Sequence, residues 1–460
     1  MKIGIDCLSF YVPNQYLSLE TLANHQNIDP EKYFQGLGQE KIAVPAHDED
    51  VVTLAAEAAK PVIEKCGTEG IDTLLFATES GIDQSKAAGV YVHRLLGLPQ
   101  NCRNVELKQA CYSATAALQL ACGHIARKPD RKVLIVASDI SRYDLDSAAE
   151  ATQGSGAVAM LVSANPRVLE IEAATGCFTE DVMDFWRPNY RKTPLVDGKY
   201  STLKYTYALA HAWEDYQAND GREYAELKQF CYHIPFTRMG SKAHQQLAKL
   251  HGLAAESDKL ESGLTYARQI GNCYAASLYL SVISMLECCE EDLSGEPVGL
   301  FSYGSGAVAE FFSGVVQPGY REHLLTEHHK AVLAERNPLS YEAYRHLWFA
   351  PDPQDGSTFV IDRDRGPCAR GQFKLTKIDE HKRHYANERN GVGGEQDCEQ
   401  DAGRASEGEI GVKASDNKLV ESLGLKSHVN PDTQATEDAN PVLSRAGSEE
   451  TVQDINGVSA

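Results

Sequence analysis

The strongest constraint on the fold of this chain is a pattern that it runs through twice: short apolar runs of strand type alternate with stretches of helical period rich in Ala, Ser and Gly. In the first pass "TLLFATES" and "KVLIVASDI" read as buried strands, and "SKAAGVYVHRLLGL" and "CYSATAALQLACGHIARK" as helices. After residue 220 the alternation returns, with a strand in "FCYHIPF", a small-residue helix in "GNCYAASLYLSVISML" and a strand in "VGLFSYGSG". This alternation predicts a layered α/β fold with parallel strands. Small residues let a helix lie close to a sheet or another helix, which places the helix after Cys111 in the middle of the molecule. The hexapeptide "GSGAVA" occurs once in each pass, at Gly154–Ala159 and Gly304–Ala309. A duplicated α/β unit accounts for both observations.

The 460 residues suffice for two or three domains, or for one large layered unit with a sizeable core. A net charge of -21 argues against a partner with a phosphate backbone, which would need a basic face. The opening "MKIGIDCLSFYVP" alternates like a strand and lacks the apolar core of a secretory signal, and no run reaches the roughly 20 apolar residues of a membrane span. The chain therefore reads as cytoplasmic, with no membrane and no nucleic acid among its partners. From Asn390 onward there is no aromatic residue, and fourteen Asp or Glu face five Lys or Arg. Such a stretch cannot bury enough apolar surface to offset the entropy of ordering, so residues 389–460 read as an acidic, disordered tail. The twelve Cys show no paired C-x-x-C spacing, so neither a disulfide framework nor a zinc site is expected. Most of them, Cys288 and Cys289 included, read as small buried hydrophobes.

Three residues carry candidate chemistry. Cys111 stands where a strand or loop gives way to a helix, and free N–H groups and the dipole at a helix N-terminus favour a nucleophilic thiolate. A buried structural cysteine is the alternative. Glu79 ends the strand "TLLFATES", and sites gather at strand C-termini in parallel α/β sheets; otherwise it is a solvated loop residue. His233 interrupts the apolar "FCYHIPF", where a hydrogen-bonded core histidine is equally natural. Together they offer a nucleophile, a carboxylate base and a polarising or proton-donating group, a set that does not by itself name a reaction.

Seven segments, in order along the chain, resemble the bacterial hydroxymethylglutaryl-CoA synthase family: "ATESGIDQSKAA", "KQACYSATAALQLA", "DVMDFWRP", "PLVDGKYS", "YHIPFTRMG", "GNCYAASLYLSV" and "FSYGSGAVAEFFSG". The resemblance runs from Met1 to about Glu388. It implies a thiolase-like, five-layered αβαβα fold of two similar halves, here residues 1–165 with the Cys and Glu and residues 166–388 with the His, and it implies a homodimer. It also implies condensation of acetyl-CoA with acetoacetyl-CoA, in the mevalonate route to isoprenoids, without metal or organic cofactor. Cys111 would hold the acetyl group, Glu79 would remove a proton from its methyl, and His233 would polarise the acetoacetyl carbonyl.

Further positions match the family by motif. Asp29, Thr152, Ser201, Asn272 and Ser305 match substrate contacts, although the "GSG" around Ser305 also lets backbone approach backbone. Tyr143, Asp184 and Phe185 match residues lining the acyl pocket, beside which Trp186 reads as core packing. Arg238, where the family more often has Lys, and Lys242 match cations for the CoA phosphates. Ala148 departs from relatives that carry Asn there. A second branch with the same fold and the same three residues, the polyketide β-branching synthases, takes its acyl groups from an acyl carrier protein. "ESGID", "KQACYSATA" and "ASDISR" fit that branch as well, while "FWRP", "PLVDG" and "IPFTRMGSK" fit the free-CoA enzymes better. A non-catalytic scaffold on the same fold would be expected to have lost one of the three residues, and all are present.

Overall fold

The computed structural model describes residues 1–350, 355–362 and 366–388; the expected acidic tail, 389–460, lies outside them. Nine strands form one sheet: β1 (Ile3–Tyr11), β2 (Ile71–Ala77), β3 (Arg103–Leu107), β4 (Lys132–Ser141), β5 (Gly154–Ala164), β6 (Leu169–Thr179), β7 (Gln229–Tyr232), β8 (Pro297–Gly304) and β9 (Val308–Val316). Their order across the sheet is β7-β8-β9-β6-β1-β5-β4-β2-β3. From the middle outward each half repeats one scheme. Its first strand pairs with its last, the last pairs antiparallel with the one before it, and a parallel strand follows. Only the first half adds a further parallel strand, β3. Parallel pairing is thus confined to the outer strands, short of what the alternation predicts, because neither connection is a helical crossover: β4–β5 is joined by the loop 142–153 with a single 3-10 turn, and β8–β9 by residues 305–307.

The halves meet where β1 pairs with β6 through Gly4 and Ile5. A Cβ on Gly4 would sit 2.1 Å from the Leu169 carbonyl, so the junction requires glycine. Six main helices cover the sheet: α1 (Val51–Cys66), α2 (Ala88–Leu95), α3 (Ser113–Arg127), α4 (Gly198–Ala218), α5 (Thr237–Leu250) and α6 (Ser277–Cys288). Helix α1 packs on β1, β4 and β5, and α4 on β6 and β9. Between them, α3 packs on β2, β4 and β5 and also reaches the other half, where Thr115 Oγ1 bonds Tyr279 OH of α6 at 2.9 Å and Ser302 Oγ of β8 at 2.8 Å. The result is the five-layered, thiolase-like arrangement, with α3 and α6 as its central layer.

The first "GSGAVA" copy opens the last strand of its half, and the second runs from the end of β8 through the turn into the last strand, β9. A Cβ on Gly154 would meet Asn272 N at 2.6 Å, and one on Gly304 would meet the Gln109 carbonyl at 2.4 Å and Tyr112 N at 2.7 Å. Each first glycine therefore admits the turn that opens the central helix of the opposite half. Each of those turns holds a non-glycine residue with positive φ, Ala110 and Tyr274, both at 43°. The hexapeptide marks a packing device used twice. The cysteine expectation fares less well: among the eleven described cysteines only Cys7, Cys231, Cys273 and Cys289 are fully buried. Among the described residues no helix is long and apolar enough to cross a membrane.

Candidate active site

The turn after Gln109 delivers Cys111 just ahead of α3, with Tyr112 as its N-cap residue. Two residues beyond the end of β2, Glu79 accepts a hydrogen bond of 3.1 Å from the Cys111 thiol. Asp139, fully buried on β4, fixes the Glu79 loop from beneath. Its Oδ1 accepts from Thr78 Oγ1 at 2.8 Å, Ser80 Oγ at 2.7 Å, Glu79 N at 2.9 Å and Ser80 N at 3.0 Å, and its Oδ2 from Ala275 N at 3.1 Å. The Arg187 guanidinium donates to the Glu79 carbonyl.

Charge in this pocket is expensive. Burial, aided by the Asp139 carboxylate, lifts Glu79 far above the ordinary carboxylate range, to about 8, against the lowering pull of Cys111 and Arg187. Burial and the neighbouring Glu79, Asp139 and Asp184 carboxylates push the Cys111 thiol up as well. This corrects the helix-terminus argument for a standing thiolate: Cys111 precedes the N-cap and faces three acids, which outweigh the dipole. The resting group is a thiol already aimed at a carboxyl oxygen, so its deprotonation belongs to the attack itself.

His233 directly follows β7 and is 3% exposed; its N–H donates to the Phe301 carbonyl at 2.7 Å and its Nδ1 has no partner. Burial lowers its pKa to about 3, leaving a neutral imidazole that donates a hydrogen bond without carrying charge. Tyr205 OH donates to the His233 carbonyl at 2.7 Å and lies within electrostatic reach of Cys111, which ties the histidine to the same buried region. Asp184 accepts from Ser201 Oγ at 3.0 Å, Tyr303 OH at 2.8 Å and Gly306 N at 2.9 Å, locking the loop next to Ser305. Phe185 lies edge-on between Tyr143, 6.3 Å away, and Tyr274, 5.8 Å away.

Other expected residues have different surroundings. Asn272 is buried, and its Oδ1 accepts from Tyr274 N and Ser277 Oγ, shaping the turn before α6. Thr152 bonds the Ala149 carbonyl within a single 3-10 turn. Asp29 is exposed and accepts from Glu31 N. Arg238 holds the Gln35 carbonyl with two donors and, with Lys41, Arg268 and Phe34, lines a separate cleft of about 560 Å³; Lys242 lies over the Phe236 ring. Trp186 is only half-buried in a two-residue ladder with Leu195, not in the core as expected. Asp139, Arg187, Tyr205, Tyr274 and Tyr303 went unnoticed in the sequence. Asp139 ends a predicted strand just as Glu79 does, and the same signal would have found it. Among the described residues no three His, Cys, Asp or Glu side chains converge as metal ligands.

A duplicated thiolase fold with a cysteine thiol on a carboxyl group, and a neutral histidine tied to the same region through Tyr205, defines a class: acyltransferases that work through cysteine. The family models described as hydroxymethylglutaryl-coenzyme A synthase N terminal and C terminal match residues 1–167 and 246–388. A hydroxymethylglutaryl-CoA synthase of Enterococcus faecalis is 42% identical over 392 residues, 84% of this chain and 100% of that protein. The crystal structure of a hydroxymethylglutaryl-CoA synthase complexed with CoA superposes with a TM-score of 0.80 at 39% identity, covering 84% of this chain and 100% of that one. The hydroxymethylglutaryl synthase of the curacin biosynthetic pathway, in complex with an apo donor acyl carrier protein, gives 0.77 at 34% over the same shares. The chain belongs to the hydroxymethylglutaryl-CoA synthase family.

Proposed function

We propose that this protein condenses acetyl-CoA with acetoacetyl-CoA and water, giving 3-hydroxy-3-methylglutaryl-CoA and CoA. The observation that carries the chemistry is the 3.1 Å contact between the Cys111 thiol and Glu79. Glu79 takes the thiol proton as Cys111 attacks the acetyl thioester and passes it to the departing CoA thiolate, so that CoA leaves as a thiol and Glu79 is a carboxylate again. The carboxylate next removes a proton from the acetyl methyl, and the resulting carbanion adds to the C3 carbonyl of acetoacetyl-CoA, which neutral His233 polarises by donating a hydrogen bond. Glu79 returns its proton to the new alkoxide, and water releases the product from Cys111. Tyr143, Asp184, Phe185, Ser201 and Ser305 form the acyl pocket in this scheme, with Thr152 and Asn272 behind it, and no metal or organic cofactor takes part.

The CoA phosphates bind at the cleft of Arg238, Lys41 and Arg268, and Asp29 and Lys242 serve the same substrate. The protein acts in the cytoplasm as a homodimer and serves mevalonate synthesis. Higher identity to the free-CoA enzymes than to the carrier-protein enzyme supports free CoA as the acyl carrier. Intact-protein mass spectrometry after brief exposure to acetyl-CoA tests the reading, with Cys111→Ala as control. Acetylation that releases CoA and is lost in the variant, followed by disappearance of the acetyl adduct on adding acetoacetyl-CoA, is expected. Acetylation from an acetylated carrier protein alone overturns the free-CoA assignment, and none from either overturns the enzyme.

A further inference from the structure

Cys66 closes α1, and Cys7 lies on β1, the strand that α1 packs against. The β1–β5 register slips between Ile5 and Cys7. Such a bulge breaks the alternation of side chains and lets successive residues serve one place. Asp6 takes Arg167 in a two-pronged pair, Nε to Oδ1 and Nη2 to Oδ2 both at 2.7 Å, and the same Nη2 donates to Cys66 Sγ at 3.4 Å. Cys66 packs against the core that holds Cys7, and the two thiols are each other's leading electrostatic partner. Cys7 is sealed from solvent, whereas Cys66 is partly exposed between exposed Lys65 and Gly67. The condensation scheme uses neither thiol, and both are free.

We propose that Cys66 and Cys7 are a peroxide-oxidisable pair, with Cys66 the attacking thiolate, Cys7 the resolving thiol and Arg167 the cation that holds the Cys66 charge. The Cys66 sulfur attacks one oxygen of hydrogen peroxide, the O–O bond breaks and hydroxide leaves, so Cys66 becomes a sulfenic acid. The Cys7 sulfur then attacks the Cys66 sulfur, the Cys7 proton joins the departing hydroxyl as water, and an S–S bond forms. Peroxide gains two electrons and the two thiols lose two. Cys7, together with Arg167, draws Cys66 down to about 6, while Cys66 and burial push Cys7 up; the negative charge therefore sits on the partner that solvent reaches. Cys111, raised by burial and acids, is the poorer target.

The test is a titration of the full-length reduced protein with a few equivalents of hydrogen peroxide, followed by iodoacetamide and peptide mass spectrometry. A Cys7–Cys66 cross-linked peptide is expected before any oxidation of Cys111, reversible by dithiothreitol and absent in Cys66→Ser. In Cys7→Ser, dimedone should trap a sulfenic acid at Cys66, which reads the first step alone and does not depend on forming the disulfide. Oxidation of Cys111 ahead of Cys66, or a Cys66 that alkylates fully after peroxide, overturns the proposal. Circular dichroism and unchanged condensation activity of Cys66→Ser verify that the variant is folded.

Discussion

Glu79 is held in a pocket that opposes its charge, and both its function and its cost to the fold follow from that. Its proton stays on up to about pH 8, so the rising limb of kcat/KM should lie well above the ordinary carboxylate range. His233, at about 3, should add no limb between pH 5 and 8. For stability, a pKa raised on folding favours the folded state below the unfolded value of about 4.5 and loses that advantage as pH rises through the folded one. Glu79→Gln should therefore abolish condensation yet raise Tm by about 2 °C at pH 8 and by much less at pH 5, read by scanning calorimetry. Gly304→Ala tests the neighbouring turn: the added methyl would strike Gln109 and Tyr112, shift Cys111, and lower kcat about 10- to 100-fold. At this scale the sequence singled out Cys111 and Glu79, which folding brings into contact, but not their charge states. Helix position argued for a thiolate, and burial, together with three distant acids brought near only by folding, reverses it.

Elements were legible where their periodicity is local. The strand in "KVLIVASDI" and the helix after Cys111 form as expected, whereas "GNCYAA" forms a turn and a 3-10 segment before α6 begins at Ser277. What local pattern does not contain is pairing. The antiparallel β4–β5 and β8–β9 ladders depend on how each connection returns to the neighbouring strand, and the junction of the halves depends on one close approach at Gly4. Helix α3 makes the cross-half contact by Thr115, whose hydroxyl joins Tyr279 and Ser302. Thr115→Val keeps the volume and removes both bonds, leaving two buried hydroxyls short of a partner. A loss of about 1–3 kcal/mol in urea unfolding is expected, with the acetylation rate falling as well if the α3 turn that carries Cys111 loosens.

At the scale of the whole molecule two readings meet direct tests. Strand β3 is a sheet edge, and Val105 on it, Val90 on α2 and Leu120 on α3 are 41%, 42% and 57% exposed. A second copy pairing along that edge would cover them and supports the homodimer reading; Val105→Glu should give a monomer by light scattering if it is right. The C-terminal extension poses the other question. Family similarity ends at residue 388, and the Enterococcus relative is covered over its full length by 84% of this chain. Every residue assigned to the reaction lies before that point. A chain ending at Gly393 should therefore keep its Tm within about 2 °C and its kcat and KM for acetyl-CoA within about twofold. It sheds a strongly acidic segment, so any change in KM that high salt abolishes would show the tail acting on the anionic substrate through its charge. A salt-insensitive loss of kcat would show instead that the catalytic body needs the tail, against the assignment of the whole reaction to residues 1–388.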